Sequence, residues 1–205
     1  MQALVHMHNA RGVVARWFLA LTHHHQLHAP EHVGAFAGSL LRHQDWDHSE
    51  GKALPKRGIN AGFRRVFMQI TVSTVIAAPI TEVWRAYTSP EDIKQWNAAS
   101  ADWHTTASAV DLRVGGKFSS RMEARDGSFG FDFEGEYTHV DAPHRLEYRF
   151  GERGASVEFL QTPAGVKVRV SFDPESEHPE EAQREGWQSI LDNFARHVLA
   201  LQAAK

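Results

Sequence analysis

"MQITVSTVIAAPITEVWRAYTSPEDIKQW" (Met68–Trp96) is where regular patterning begins in this 205-residue chain. Ile70, Val72, Thr74 and Ile76 alternate onto one face, the period of a half-buried strand. The period then changes. Pro79 suits a helix start, and Ile80, Val83, Trp84 and Tyr87 form one helical stripe. Ser89, Pro90 and Asp92 repeat the start signal as N-cap, first-turn proline and near capping box. A strand followed by two short helices is predicted.

Downstream, the clearest unit is "KFSSRMEARDGSFGFDFEGEY" (Lys117–Tyr137). Asp126-Gly127 is a two-residue hairpin signal. Folding about it opposes Met122 to Phe131, Ser120 to Phe133 and Ala124 to Phe129. The reverse face then opposes Arg121 to Asp132 and Lys117 to Glu136. One register thus sends apolar groups to one side and opposite charges to the other. Arg121 and Asp132 read as a solvated cross-strand pair rather than a catalytic one.

Alternation continues through Leu146, Tyr148 and Phe150, then Val157 and Phe159, then Val166, Val168, Val170 and Phe172. "TPAG" (Thr162–Gly165) marks a tight turn between the last two runs. Pro179, Glu180 and Glu181 open a long helix with acids at its positive end. Its stripe is Trp187, Ile190, Leu191, Phe194, Val198 and Leu201. The class is α+β: a curved antiparallel sheet of about six or seven strands wrapped on a long C-terminal helix, with two short helices after the first strand.

Residues 1–67 read differently. They hold nine of the 14 histidines and little periodicity. His24, His28 and His32 have helical metal-ligand spacing, but no carboxylate or cysteine completes a site. The apolar run Gly12–Leu21 is broken by Arg16 and lacks a cleavage site, so no signal peptide is expected. "HSEGKALPKRGINAG" (His48–Gly62) reads as a linker. The division expected is 1–67, a disordered extension with one short helix near Val13–Leu21 or an over-extended gene start, and 68–205, the folded domain.

Charge and composition narrow the function. Residues 1–67 carry 8 Lys+Arg against 4 Asp+Glu; residues 68–205 carry 14 against 21. An acidic body argues against nucleic acid as the partner. The absence of cysteine excludes thiolate metal sites and cysteine nucleophiles. No run of about 18 apolar residues is present, so no membrane span is expected. A cytoplasmic location follows as an expectation.

The order of elements and five motifs resemble the START-like helix-grip (SRPBCC) superfamily, and within it the branch named for activators of heat-shock chaperone ATPases. The motifs are "APITEVWRAYTSPEDIKQW", "DLRVGGKF" (Asp111–Phe118), "DGSFGFDFEGEY" (Asp126–Tyr137), "DAPHRLEY" (Asp141–Tyr148) and "EGWQSILDNFARHV" (Glu185–Val198). Where many relatives pair two tryptophans, this chain has Trp96-Asn97. The resemblance covers residues 69 to 200 and implies a pocket between sheet and helix. Members include lipid and polyketide binders, cyclases and chaperone cofactors. The function expected is therefore non-enzymatic binding of a hydrophobic small molecule, a lipid or planar polyaromatic. The alternatives are a chaperone ATPase activator and a cyclase- or hydrolase-type enzyme using the same pocket.

Alternation and the helical stripe nominate Trp96, Ser120, Met122, Phe131, Phe133, Tyr148, Phe159, Trp187, Leu191 and Phe194 as the lining. Asn97, His104, Asp132, Glu134, Tyr148 and His178 are each capable of acid–base work, but none sits in a signature for nucleophile, base and orienter. Gly115-Gly116 reads as a permissive turn before Phe118 and not as a phosphate loop. His197 reads as a surface residue or a helix-dipole partner. No metal and no cofactor are expected.

Overall fold

A computed structural model of the chain describes residues 68–204. The expectations for residues 1–67 lie outside the described residues. Strand β1 (Ile70–Ile76) leads into helices α1 (Ile80–Thr88) and α2 (Pro90–Trp96). Strands β2 (Trp103–Val110), β3 (Lys117–Ala124), β4 (Gly130–Asp141), β5 (Arg145–Phe150), β6 (Arg153–Thr162) and β7 (Gly165–Phe172) follow, and α3 (Glu180–Ala203) closes the domain. The sheet order is β1-β7-β6-β5-β4-β3-β2, every pair antiparallel.

The register of β3 with β4 opposes Met122 to Phe131, Ser120 to Phe133, Arg121 to Asp132 and Lys117 to Glu136, as the sorting of apolar and charged groups requires. The turn is wider than the two-residue form expected. Gly127 N–H donates to the Ala124 carbonyl at 2.9 Å and Ala124 N–H to Phe129 at 2.8 Å. Asp126 Oδ1 accepts from both the N–H and the hydroxyl of Ser128. Gly127 has φ 73°. An aspartate that satisfies its own turn favours this looser loop without altering the register beyond it.

Register shifts at Thr105/Ala107 in β2 and Tyr137/His139 in β4 bend the two strands. The bent sheet curls around α3, whose Trp187, Leu191, Phe194 and Val198 are buried against it. Each such side chain contributes roughly 1.5–3 kcal/mol on burial. Helix α3 also covers the β1 edge, where Arg184 donates to the Thr71 carbonyl at 2.9 Å.

Gln183, which the apolar stripe did not predict, is fully buried. Its amide accepts from Glu175 N–H and donates to the Glu175 and His178 carbonyls. It thereby replaces backbone partners for the irregular segment ahead of α3. Among the described residues, no helix is long and apolar enough to cross a membrane.

Candidate functional site

Between the concave face and α3 lies a cavity of about 90 Å³. Sixteen residues line it. Seven belong to the predicted set: Trp96, Ser120, Met122, Phe133, Tyr148, Trp187 and Leu191. Three others sit behind the wall. Phe159 and Phe194 pack against Tyr87 at 5.4 and 5.2 Å between ring centroids. Phe131 packs on Trp103 at 5.9 Å, toward the end of β2. They point to the predicted side, but Tyr87 and Trp103 stand in front of them or draw them away.

Nine lining residues were not nominated: Tyr87, Ile93, Asn97, Val110, Phe118, Tyr137, Leu146, Val170 and Ile190. Strand alternation carried the signal for Phe118, Tyr137, Leu146 and Val170, all on the inner face. Tyr87 and Ile190 lie on predicted helical stripes. Asn97, at the helix end where a second tryptophan was the family pattern, had no periodic signal.

Geometry builds the wall from two groups of rings. Phe118 meets Tyr148 at 5.1 Å, Tyr137 at 5.3 Å and Phe133 at 5.6 Å. Tyr87 meets Trp96 at 5.2 Å, and the Trp96 indole donates to the Ala86 carbonyl at 3.0 Å, locking α2 against α1. Two glycines make the sheet side possible. A Cβ on Gly116 would stand 2.0 Å from the Asp111 carbonyl oxygen, so the turn before Phe118 accepts only glycine there. A Cβ on Gly135 would stand 2.5 Å from the Phe118 ring, which lies over that strand.

All three tyrosines of the chain line the cavity. Burial raises the Tyr87 phenol well above its ordinary range, and burial together with the neighbouring phenols does the same to Tyr148. Burial pushes Tyr137 up to about 12. All three are neutral donors and acceptors at ordinary pH. Ser120 adds a hydroxyl, which lies 3.4 Å from that of Ser108. No aspartate, glutamate, lysine, arginine or histidine lines this cavity. Tyr87, Asn97, Val110, Phe118, Phe133 and Ile190 are only partly buried and lie at its mouth.

Other acid–base candidates lie elsewhere. Asp132 is paired with Arg121 at 3.2 Å on the outer face, and His178 with Glu175 at 2.9 Å ahead of α3. Glu175, Glu177 and His178 cluster there, with Glu175 accepting backbone N–H groups of its own loop. His104 lies 3.4 Å from an Arg125 nitrogen. His197 is corrected from a surface residue to a nearly buried one: its Nε2 lies 2.8 Å from Asp92 Oδ1. Asp92 Oδ2 accepts from Arg85 at 2.7 Å, so the carboxylate ties α1, α2 and α3 together. Large apolar residues exposed at the surface, Met68, Val75, Val114, Leu160 and Leu199, are spread over separate elements.

Residues 77–198 match the family described as activator of Hsp90 ATPase homolog 1-like protein. The chain belongs to this family. An AHSA1-like protein from Aeromonas hydrophila, solved in solution, is 48% identical, with a TM-score of 0.63; the match covers 66% of this chain and 94% of that one. A solution structure from Cytophaga hutchinsonii is 37% identical over 67% of this chain and 96% of its own, with a TM-score of 0.58. A crystal structure from Nitrosomonas europaea shares the fold at 23% identity and a TM-score of 0.60, covering 68% of this chain and 99% of that one. No curated protein matches the chain. The α+β helix-grip class read from the sequence is the fold of this AHSA1-like domain.

Proposed function

We propose that this AHSA1-like domain binds a compact, uncharged molecule carrying an aromatic ring and a hydroxyl or carbonyl group, without transforming it. The supporting observation is the composition of the cavity wall: aromatic and aliphatic throughout, with neutral polar groups from Tyr87, Tyr148, Tyr137, Ser120 and Asn97 and no carboxylate, ammonium, guanidinium or imidazole. Burying a carboxylate or ammonium there leaves it without a counter-charge, which is strongly unfavourable. A neutral ligand oxygen can instead accept from a phenol in a water-poor site.

Size sharpens the class. The cavity, at about 90 Å³, is smaller than the ~150 Å³ that holds benzene in an engineered core. It is far below the roughly 300–1,000 Å³ of drug-sized sites. A single ring enters if the mouth residues Phe118 and Ile190 give slightly. A lipid or planar polyaromatic would have to part α3 from the sheet. The chaperone-activator reading rests on the family's description; among the described residues the large exposed apolar side chains lie in separate segments of the chain.

The test is a thermal-shift panel of phenol, benzyl alcohol, benzoate, a long-chain fatty acid and a planar polyaromatic. Binding to the native state raises the midpoint with ligand concentration. Stabilisation by the neutral single-ring compounds supports the proposal; stabilisation by the fatty acid alone, or by none, overturns it.

A further inference from the structure

A second, separate cleft of about 620 Å³ lies on the far side of Trp96, between the α2–β2 connection, α3 and the end of the β3–β4 hairpin. We propose that it binds an oxyanion, a carboxylate or phosphate group on a small molecule.

Residues 68–205 are acidic, 14 cationic side chains against 21 carboxylates. In such a chain an arginine ordinarily finds an acid. Arg85, Arg113, Arg121, Arg145, Arg169 and Arg184 each do. Among the described residues Arg125 and Arg196 form no ion pair with an acid, nor do Arg149 in β5 and Arg153 in β6, which do not line this cleft. Arg125 Nε donates to the Ala101 carbonyl at 3.0 Å, and its NH1 lies 3.4 Å from His104 Nδ1. Arg196 donates to Asn193 Oδ1. Both arginines line the same cleft.

The contacts that these arginines do make aim them rather than neutralise them. A guanidinium has five N–H donors in a fixed plane, and each of these two commits only part of that set. The remaining donors suit the two oxygens of a carboxylate or phosphate. Ser189 and Gln95 add uncharged donors to the wall. One carboxylate, Asp192, also lines the cleft, held by Gln188 at 2.7 Å. Against Arg125 and Arg196 the local balance stays positive, on a body whose overall field is negative. His197 closes the inner end, with its Nε2 engaged by Asp92. This site takes an anion where the inner cavity takes a neutral molecule, so the two are distinguishable by ligand charge.

The test uses the isotope-labelled full chain, followed by amide chemical shifts. Sodium phosphate and, separately, sodium benzoate replace sodium chloride at fixed ionic strength, so that general screening is constant. Saturable shifts at residues 98–101 and 189–197 are expected, with binding about tenfold weaker for each arginine removed in Arg196→Gln and Arg125→Gln/Arg196→Gln. Arg196 is exposed and, among the described residues, bonded only within its own helix, so Arg196→Gln retains the fold and carries the test if the double variant does not. Tighter benzoate points to an organic acid, tighter phosphate to a phosphorylated compound. Shifts that do not saturate, that persist unweakened in Arg196→Gln, or that fall only around Tyr87, Tyr137 and Tyr148 overturn the proposal.

Discussion

His197 Nε2 lies 2.8 Å from Asp92 Oδ1, and Asp92 Oδ2 lies 2.7 Å from Arg85, so one carboxylate ties three helices into a single wall. Asp92 sits one residue before Ile93 and four before Trp96, both of which face the cavity. Its geometry therefore bears on the pocket as well as on stability.

The clasp should behave as a coupled unit. Asp92→Ala leaves two polar partners behind, and His197→Ala leaves the Arg85 pair intact, so the first should be the more damaging. A double-mutant cycle of the two is expected to return a coupling of about 1–3 kcal/mol, the range for contacting residues in one network. Urea unfolding of the four proteins measures it; additive effects would reduce the contact to coincidence.

The cavity's volume can be tested by filling it. Ser120→Val adds little bulk beside empty space, so the fold should be retained within about 1.5 kcal/mol while the phenol-induced rise in midpoint is lost. Ser120→Phe adds a whole ring, more than about 90 Å³ will take without movement, and should lose about 1–3 kcal/mol through overpacking. Unchanged phenol binding in both variants would place the ligand elsewhere.

Alkali should unfold the domain through its tyrosines. An ordinary phenol titrates near ~10; burial holds Tyr137 at about 12 and raises Tyr87 and Tyr148 well above the ordinary value. The unfolded chain therefore releases these protons first. The stabilising contribution is complete below about pH 10 and is lost as pH rises toward the folded values, by up to ~1.4 kcal/mol per unit for each tyrosine. Because the chain has three tyrosines and all line the cavity, tyrosinate absorbance of the native protein reports on this site alone. No ionisation step is expected near pH 10 before unfolding; a full-amplitude step there would show the phenols to be wet.

Gly135→Ala should strike the pocket from the sheet side. Its Cβ would stand 2.4 Å from the Arg149 carbonyl oxygen and 2.5 Å from the Phe118 ring. The ring has to turn away, at a loss of about 1–3 kcal/mol. Near-ultraviolet circular dichroism should register the change in the Phe118, Tyr137 and Tyr148 cluster.

Arg121→Ala, by contrast, removes a group on the outer face whose partners are the half-exposed Glu123 and the exposed Asp132. Phenol binding and the melting midpoint should both stay at the parental values, because exposed ion pairs contribute little. A folded Arg121→Ala protein that no longer responds to phenol would give this residue a role in the site.

The fold was legible because its signals are local and repeat. Period-2 alternation in β3 to β7 assigned inner and outer faces, and folding the chain about Asp126-Gly127 gave the β3–β4 register. The stripe Trp187, Leu191, Phe194 and Val198 told the helix which side to bury. The same rule assigns Phe131, Phe133, Phe159 and Phe194 alike to the interior. It cannot say which interior atoms face empty space and which face other atoms, because that depends on what arrives from distant elements. Tyr87 from α1 fills the space before Phe159 and Phe194, and Trp103 claims Phe131. His197 and Asp92 are separated by 105 positions, with no periodic pattern linking them. Arg125 and Arg196 share a cleft for the same reason: a hairpin end and a helix meet only once the sheet has curled. Local sequence determined which faces are apolar. Only tertiary packing decided where, between those faces, room was left.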